Sequence, residues 1–143
     1  MIISHAKASD LGLAREWLEA ARLPVADLTA EHMDDFLIAA VDGRPVGMIG
    51  LEQFEHIALL RSLVVDPQAR SGGVGRQLVT ALEQLAESRN VTDMWLLTTD
   101  ADRYFETLGY SVAGRDAAPE AIQNTVEFSK LCPGDAIVMY KRI

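Results

Sequence analysis

A single cysteine, Cys132, leaves no partner for an intrachain disulfide, as expected of a chain that works in a reducing compartment. No apolar run approaches the roughly 18 residues of a membrane-spanning helix. The stretch Met1–Asp10 has no charged segment followed by an apolar one, so neither a secretory leader nor a membrane partner is expected, and the location is read as cytoplasmic. Positive charge is scarce: 13 Lys and Arg stand against 21 Asp and Glu, a net charge of −8. That balance argues against nucleic acid or an anionic lipid surface as the main partner. The three histidines, His5, His32 and His56, show no ligand spacing, and no metal is expected.

What remains is an ordinary globular composition, 49% hydrophobic and 24% charged over 143 residues. It fits one domain spanning 1–143 with a core that needs no staples. Ile2–Lys7 reads as a strand, and Ser9 or Asp10 as the cap of a helix whose apolar face is Ala14, Trp17, Leu18 and Ala21. Asp42-Gly43 is a turn signal between strands at Phe36–Val41 and Val46–Phe54. Ile57–Val65 is nearly all apolar, the pattern of a central strand, interrupted by Arg61 and Ser62. An amphipathic helix follows, with Leu78, Val79, Leu82, Leu85 and Ala86 on its buried stripe. Strands at Met94–Thr99, Tyr110–Ala113 and Ala136–Arg142 alternate with short helices at Asp102–Leu108 and Pro119–Thr125. The order is mixed α/β.

The strongest chemical signal is the glycine-rich loop Arg70-Ser71-Gly72-Gly73-Val74-Gly75 between strand and helix. Unpaired N–H groups and the positive dipole end of a helix favour an anion there, and glycines let the main chain approach it closely. It is not a nucleotide P-loop, because Arg76-Gln77 stands where Lys-Ser/Thr is required. It is not the dinucleotide fingerprint either, because Leu78 takes the place of the third glycine.

The run Leu63-Val64-Val65-Asp66-Pro67, followed by Arg70, Gly73 and Gly75 in the pattern Gln/Arg-x-x-Gly-x-Gly/Ala, resembles the acetyl-CoA motif of the GNAT family of N-acetyltransferases. Tyr104-Phe105-Glu106-Thr107-Leu108-Gly109-Tyr110 is similar to that family's second cofactor motif. Leu60–Leu63, Leu97–Thr99, Glu127-Phe128-Ser129 and Leu131-Cys132-Pro133 are similar to the arsenic-resistance N-acetyltransferases and, more distantly, to the acetyltransferase domain of N-acetylglutamate synthases. The resemblance implies the GNAT fold: a mixed, mostly antiparallel central sheet with splayed central strands and flanking helices. It also implies acetyl-CoA as cofactor, the amine of a small amino-acid-like molecule or toxin as acceptor, and a possible homodimer.

From the same resemblance, Leu63, Val64 and Val65 pair through their main chain with the pantetheine arm, and an N–H near Leu63 polarises the thioester carbonyl. Arg70, Ser71, Gly72, Gly73, Val74, Gly75 and Arg76 hold the pyrophosphate, while Thr98 and Phe105 complete the cofactor contacts. Direct attack by the amine requires a base. Glu52, near the end of the strand beside the central one, is the first candidate and Glu127 the second. His56, in a turn beside these strands, is a further candidate. Asp93 and Asp100 read as turn or cap residues. Cys132 has no neighbouring histidine to activate it. The family's tyrosine acid falls at Phe105, and Tyr104 lies one residue, about 100° of helix, away.

Arg61 has two readings, an internal ion pair or a clamp for a substrate carboxylate. Ser62, by strand alternation, is expected on the opposite face. The segment Pro119–Pro133 is expected to close the substrate side, with Phe128 as an apolar wall and Asn124, Thr125, Glu127 and Ser129 available to read the acceptor. Two further readings compete with a small-molecule enzyme: acetylation of a protein or peptide amine, and a non-catalytic CoA-binding sensor.

Overall fold

β1 (Ile2–His5), β2 (Phe36–Val41), β3 (Arg44–Phe54) and β4 (Ile57–Val65) run antiparallel in sequence, each paired with the next. The computed structural model describes residues 1–23, 25–125, 128 and 136–143, with Ser71 described by its main chain alone. Asp42 and Gly43 take φ of 51° and 78°, which is how a two-residue hairpin turn matches the twist of its strands. β5 (Asp93–Thr98), β6 (Ser111–Ala113) and β7 (Ile137–Arg142) extend the sheet. Among the described residues its order is β1-β2-β3-β4-β5-β7-β6, and only β4 and β5 are parallel. The crossover between those two strands is α2 (Val74–Ser88).

α2 buries Leu78, Val79, Leu82 and Ala86 against Ile49, Leu51, Leu60, Met94 and Leu96 on one face of the sheet, each large side chain contributing about 1.5–3 kcal/mol. Leu85 is partly buried beside them. α3 (Asp102–Thr107) adds Phe105 to this core. The other face carries two smaller cores. α1 (Leu11–Ala20) and a 3-10 helix over Ala30–Asp35 pack Ala14, Leu18 and Met33 on Phe36 and Met48. Farther along, α4 (Glu120–Gln123) places Ile122 with Leu59, Trp95, Phe128 and Val138. Among the described residues no helix is long and apolar enough to cross a membrane.

Several details differ from the sequence-based expectation. β1 ends at His5, because the Ala6 N–H donates to the Phe36 carbonyl and Lys7 already opens a 3-10 helix over Ala8–Asp10. Asp10 precedes α1, yet its carboxylate accepts the Lys7 N–H at 2.7 Å rather than an N–H of the helix. Ala21 is exposed, outside the buried face of α1. Asp93 is not a turn residue. It lies in β5 and accepts hydrogen bonds from the Thr92 and Tyr140 hydroxyls, both at 2.6 Å.

The largest correction concerns Arg61 and Ser62. Met48 is opposite Val64 and Gly50 is opposite Arg61, so Ile49 faces the two residues Ser62 and Leu63. This is a β-bulge, and Ser62 takes φ of 60° to make it. The extra residue breaks the alternation that put Ser62 on the opposite face. Instead the Arg61 Nε donates to the Ser62 hydroxyl at 3.0 Å.

Candidate active site

A second feature of β4 lies beside the bulge. β4 and β5 pair only through Ile57–Asp93, Ala58–Met94 and Leu59–Trp95. Beyond those pairs the strands separate, and a cleft of about 600 Å³ opens between Leu60–Leu63 on one side and Leu96–Ala101 on the other. Ala21, Arg22 and Leu23 at the end of α1, together with Tyr104, Phe105 and Ala136, complete its wall. The β4 edge from Leu60 onward therefore faces open space, where an extended chain with alternating donors and acceptors can pair as an added strand.

Asp66 leads from β4 into the glycine segment and accepts the Gln68 N–H at 3.0 Å. The segment Pro67–Gly72 is a 3-10 helix rather than an irregular loop, and Gly73, with φ of 77°, joins it to α2. The first closing bond of α2 runs from the Gln77 N–H to the Gly73 carbonyl. The N–H groups of Val74, Gly75 and Arg76 lie ahead of it, in the first turn where a helix leaves its donors unpaired. No heavy atom lies within 4 Å of where a side chain would begin on Gly72 or Gly73, so the main chain faces open space. Val74 turns its side chain into the core. Arg70 folds back, its Nε donating to the Val65 carbonyl at 3.4 Å. With Val64 and Val65 it lines a smaller hollow against Trp17. These features fit coenzyme A: an open strand edge for the pantetheine arm and a bare helix N-terminus for the pyrophosphate.

Behind the Arg61 wall of the cleft lies a charged cluster. Arg61 is fully buried at its side chain, with Asp27 9% and Glu52 16% exposed. Its Nη1 donates to Asp27 Oδ2 and Glu52 Oε1, both at 2.5 Å, and its Nη2 to Asp27 Oδ1 at 2.9 Å. A ring nitrogen of His32 and one oxygen each of Asp27 and Glu52 lie within 4.8 Å of one another. His32 is anchored by its Nδ1, which accepts the Thr29 N–H at 3.0 Å. The guanidinium is the cation that both carboxylates share. Burial pushes the Asp27 carboxyl up, but the hydrogen bond and charge of Arg61, with help from His32, hold it below the usual carboxylate range.

Glu52 thus stands one ion pair behind the cleft wall. Thr98 lines the cleft, and its hydroxyl accepts the Ala101 N–H at 2.9 Å. Tyr104 also lines the cleft, and Phe105 backs it edge to face at 5.5 Å between ring centroids. Phe128 is buried with Leu59, Trp95 and Ile122, and Arg115 lies 4.8 Å over its ring; it is not part of the cleft wall. Its N–H donates to the Thr125 hydroxyl at 3.2 Å. His56 caps the far hairpin, where its Nδ1 meets the Asn90 carbonyl at 3.1 Å. Glu127, Ser129 and Cys132 lie outside the described residues.

Asp27 and Arg22 did not emerge from the sequence. Asp27 falls in an acidic, irregular stretch with no periodic signal. Arg22 owes its place at the cleft to the left-handed turn, φ 59°, that ends α1.

The family described as "Acetyltransferase (GNAT) family" matches residues 7–110. An uncharacterized N-acetyltransferase of Chlorobaculum tepidum is 28% identical over 115 residues, which is 79% of this chain and 74% of that protein. The amino-acid acetyltransferase of Neisseria meningitidis is 29% identical over 91 residues, 62% of this chain but only 21% of that longer protein. In overall shape, the structure is similar to N-acetylglutamate synthase from Neisseria gonorrhoeae, solved with coenzyme A and N-acetyl-glutamate: TM-score 0.84, 21% identity, covering 99% of this chain and 34% of that one.

Proposed function

Because the chain belongs to the acetyltransferase (GNAT) family, with acetyl-CoA as its cofactor, we propose that it acetylates the amine of a small, amino-acid-like acceptor held at the mouth of the β4–β5 cleft. The cofactor supplies an acetyl group activated as a thioester. The observation that carries the reading is the divergence of β4 from β5 beyond Leu59, which opens a cleft along the β4 edge at Arg61, with Tyr104 of its wall reaching Gly75 in the first turn of α2.

An amine is largely protonated near pH 7, so the acceptor must lose a proton before it attacks. Glu52 takes that proton through water, since Arg61 stands between it and the cleft. Its Oε1 is bound to Arg61, and among the described residues nothing binds Oε2. Arg61 holds Glu52 in place through the Nη1–Oε1 bond. The Leu63 N–H, at the bulge beside the cleft, would serve as the donor to the thioester oxygen of the bound cofactor. Glu127 is a second carboxylate for the same role.

The support for an amino-acid-like acceptor is twofold. One line is the likeness to amino-acid acetyltransferases, which extends over part of their length. The other is Arg22, whose guanidinium offers two parallel donors to an acceptor carboxylate at the cleft rim. Arg61, already holding two carboxylates, contributes to that field with Ser62 beside it. Arsenical and phosphinic glutamate analogues belong to the same chemical class.

The test is thiol release from acetyl-CoA with purified protein and a panel of free amino acids, phosphinic and arsinic glutamate analogues, polyamines, aminoglycosides and peptides. Turnover confined to glutamate-like compounds is the expected result. Turnover on peptides alone overturns the small-acceptor reading. Silence across the panel while CoA still binds turns the protein into a CoA-binding module.

A further inference from the structure

Tyr104 occupies a place that the chemistry above leaves unexplained. It lines the cleft and is 40% exposed. Its hydroxyl rests against Gly75 in the first turn of α2, so closely that a side-chain carbon added to Gly75 would begin 2.5 Å from that oxygen. Phe105 holds the Tyr104 ring from the side, with ring planes at 73°. Partial burial raises the phenol's pKa, while the nearby positive charge of Arg76 opposes the rise. The hydroxyl therefore remains a proton donor at neutral pH. Among the described residues no group accepts a hydrogen bond from it. It shares the first turn of a 15-residue helix with the unpaired N–H groups and the Arg76 guanidinium. A phenol O–H, unpaired main-chain N–H groups and a nearby guanidinium together suit an anion.

We infer that the Tyr104 hydroxyl is a ligand of the cofactor's pyrophosphate at the first turn of α2, and not the acid that protonates the leaving thiolate. The inference rests on the cofactor reading of this cleft. It gives Gly75 a purpose: the bare Cα makes room for the phenol. It also explains how the chain does without a tyrosine at position 105. Phe105 serves as the wall that orients Tyr104, and the thiolate is left to take its proton from water.

The experiment is calorimetric titration of CoA into the wild-type protein, Tyr104→Phe, Gly75→Ala and the double variant, with steady-state kinetics on an acceptor that the wild type turns over. Tyr104→Phe keeps the ring and should fold as the wild type does, checked by its melting temperature without ligand. Its Kd for CoA should rise about tenfold, the loss of one charge-assisted hydrogen bond. KM for acetyl-CoA should rise in parallel, with kcat and its alkaline limb unchanged. Gly75→Ala should weaken CoA by displacing the phenol. In the double variant it should add little, because the nearest ring carbon, Cζ, is 3.5 Å from the added carbon.

An unchanged Kd in Tyr104→Phe overturns the inference, whatever happens to kcat. So does a fall in kcat with loss of the alkaline limb at constant Kd, which marks Tyr104 as the acid. If the wild type itself does not bind CoA, the cofactor reading of the cleft fails with it.

Discussion

Asp27 and Arg61 meet through two parallel hydrogen bonds, Nη1 to Oδ2 at 2.5 Å and Nη2 to Oδ1 at 2.9 Å. The pair ties the segment after α1 to the central strand at the point where that strand bulges. Arg61 reaches Glu52 with the same Nη1. One buried guanidinium therefore holds a candidate base on one side and the loop bordering the cleft on the other. A charge removed from water is stabilised only by its partners, so these groups stand or fall together.

Arg61→Met should destabilise the protein by about 3–5 kcal/mol, because it strands two carboxylates in a site built for a cation. Adding Asp27→Asn should recover part of the loss by removing one of the stranded charges. Urea unfolding of the two single variants and the double variant measures the coupling. Strict additivity would show that the pair contributes nothing beyond its members.

The Asp27 carboxyl is held below its ordinary value of 3.8 in the folded protein. Its partners are Arg61 and His32, with Glu52 as the neighbouring acid. A depressed folded pKa means that the group stabilises the fold above its unfolded pKa, and that this stability is lost as pH falls through the folded value. The stability advantage of wild type over Asp27→Asn should be full above about pH 5 and shrink as pH falls below about 4. Unfolding free energies at a series of acid pH values check the sign. A gap that widens on acidification contradicts it.

Glu52→Gln keeps the shape of the side chain and removes its capacity to take a proton. It should lower kcat by about 10²–10⁴-fold, the usual worth of a positioned base. CoA affinity should stay within twofold or so of wild type, because Glu52 touches no part of the cofactor cradle. The deficit should narrow as pH approaches the pKa of the acceptor amine, where deprotonation no longer needs help. A constant deficit at all pH values would assign Glu52 to positioning Arg61.

Much of this architecture is legible in residue patterns. The Asp42-Gly43 turn, the apolar run Ile57–Val65 and the stripe on α2 each state their element through local chemistry, because tight turns and amphipathic faces are properties of adjacent residues. The glycine segment likewise announces a close main-chain approach. What escapes is set by distance along the chain. The partnership of Arg61 with Asp27 spans two elements and an irregular segment, and no period connects them. The bulge at Ser62 is a non-glycine residue in a left-handed conformation, stabilised by tertiary surroundings rather than by its own preference. It reverses the facing of Ser62 beside the cleft.

Gly73→Glu should abolish CoA binding. Gly73 has φ of 77°, which suits glycine far better than glutamate, and a carboxylate there would repel the pyrophosphate at the helix N-terminus. Nothing crowds the position, so the fold should tolerate the change, and circular dichroism should remain that of wild type. Retained CoA binding would move the cradle elsewhere.

Gly50 supplies the last test, of the packing that positions Glu52. A side-chain carbon at Gly50 would intrude on the Phe36 ring at Cζ, Cε1 and Cδ1. Phe36 is fully buried in the core beneath α1, and Gly50 is its partner across β2 and β3. The ring lies over the bare Cα, two residues from Glu52. Gly50→Ala should cost about 1–3 kcal/mol through overpacking, despite alanine's better intrinsic fit to a strand. Combining it with Phe36→Leu, which withdraws the ring carbons, should cost less than the sum of the two changes. Because Gly50 lies two residues from Glu52 on β3, Gly50→Ala should also lower kcat without altering CoA affinity. Thermal unfolding and calorimetry on the three variants separate these effects. Full additivity in stability would show that the ring yields freely to the added carbon.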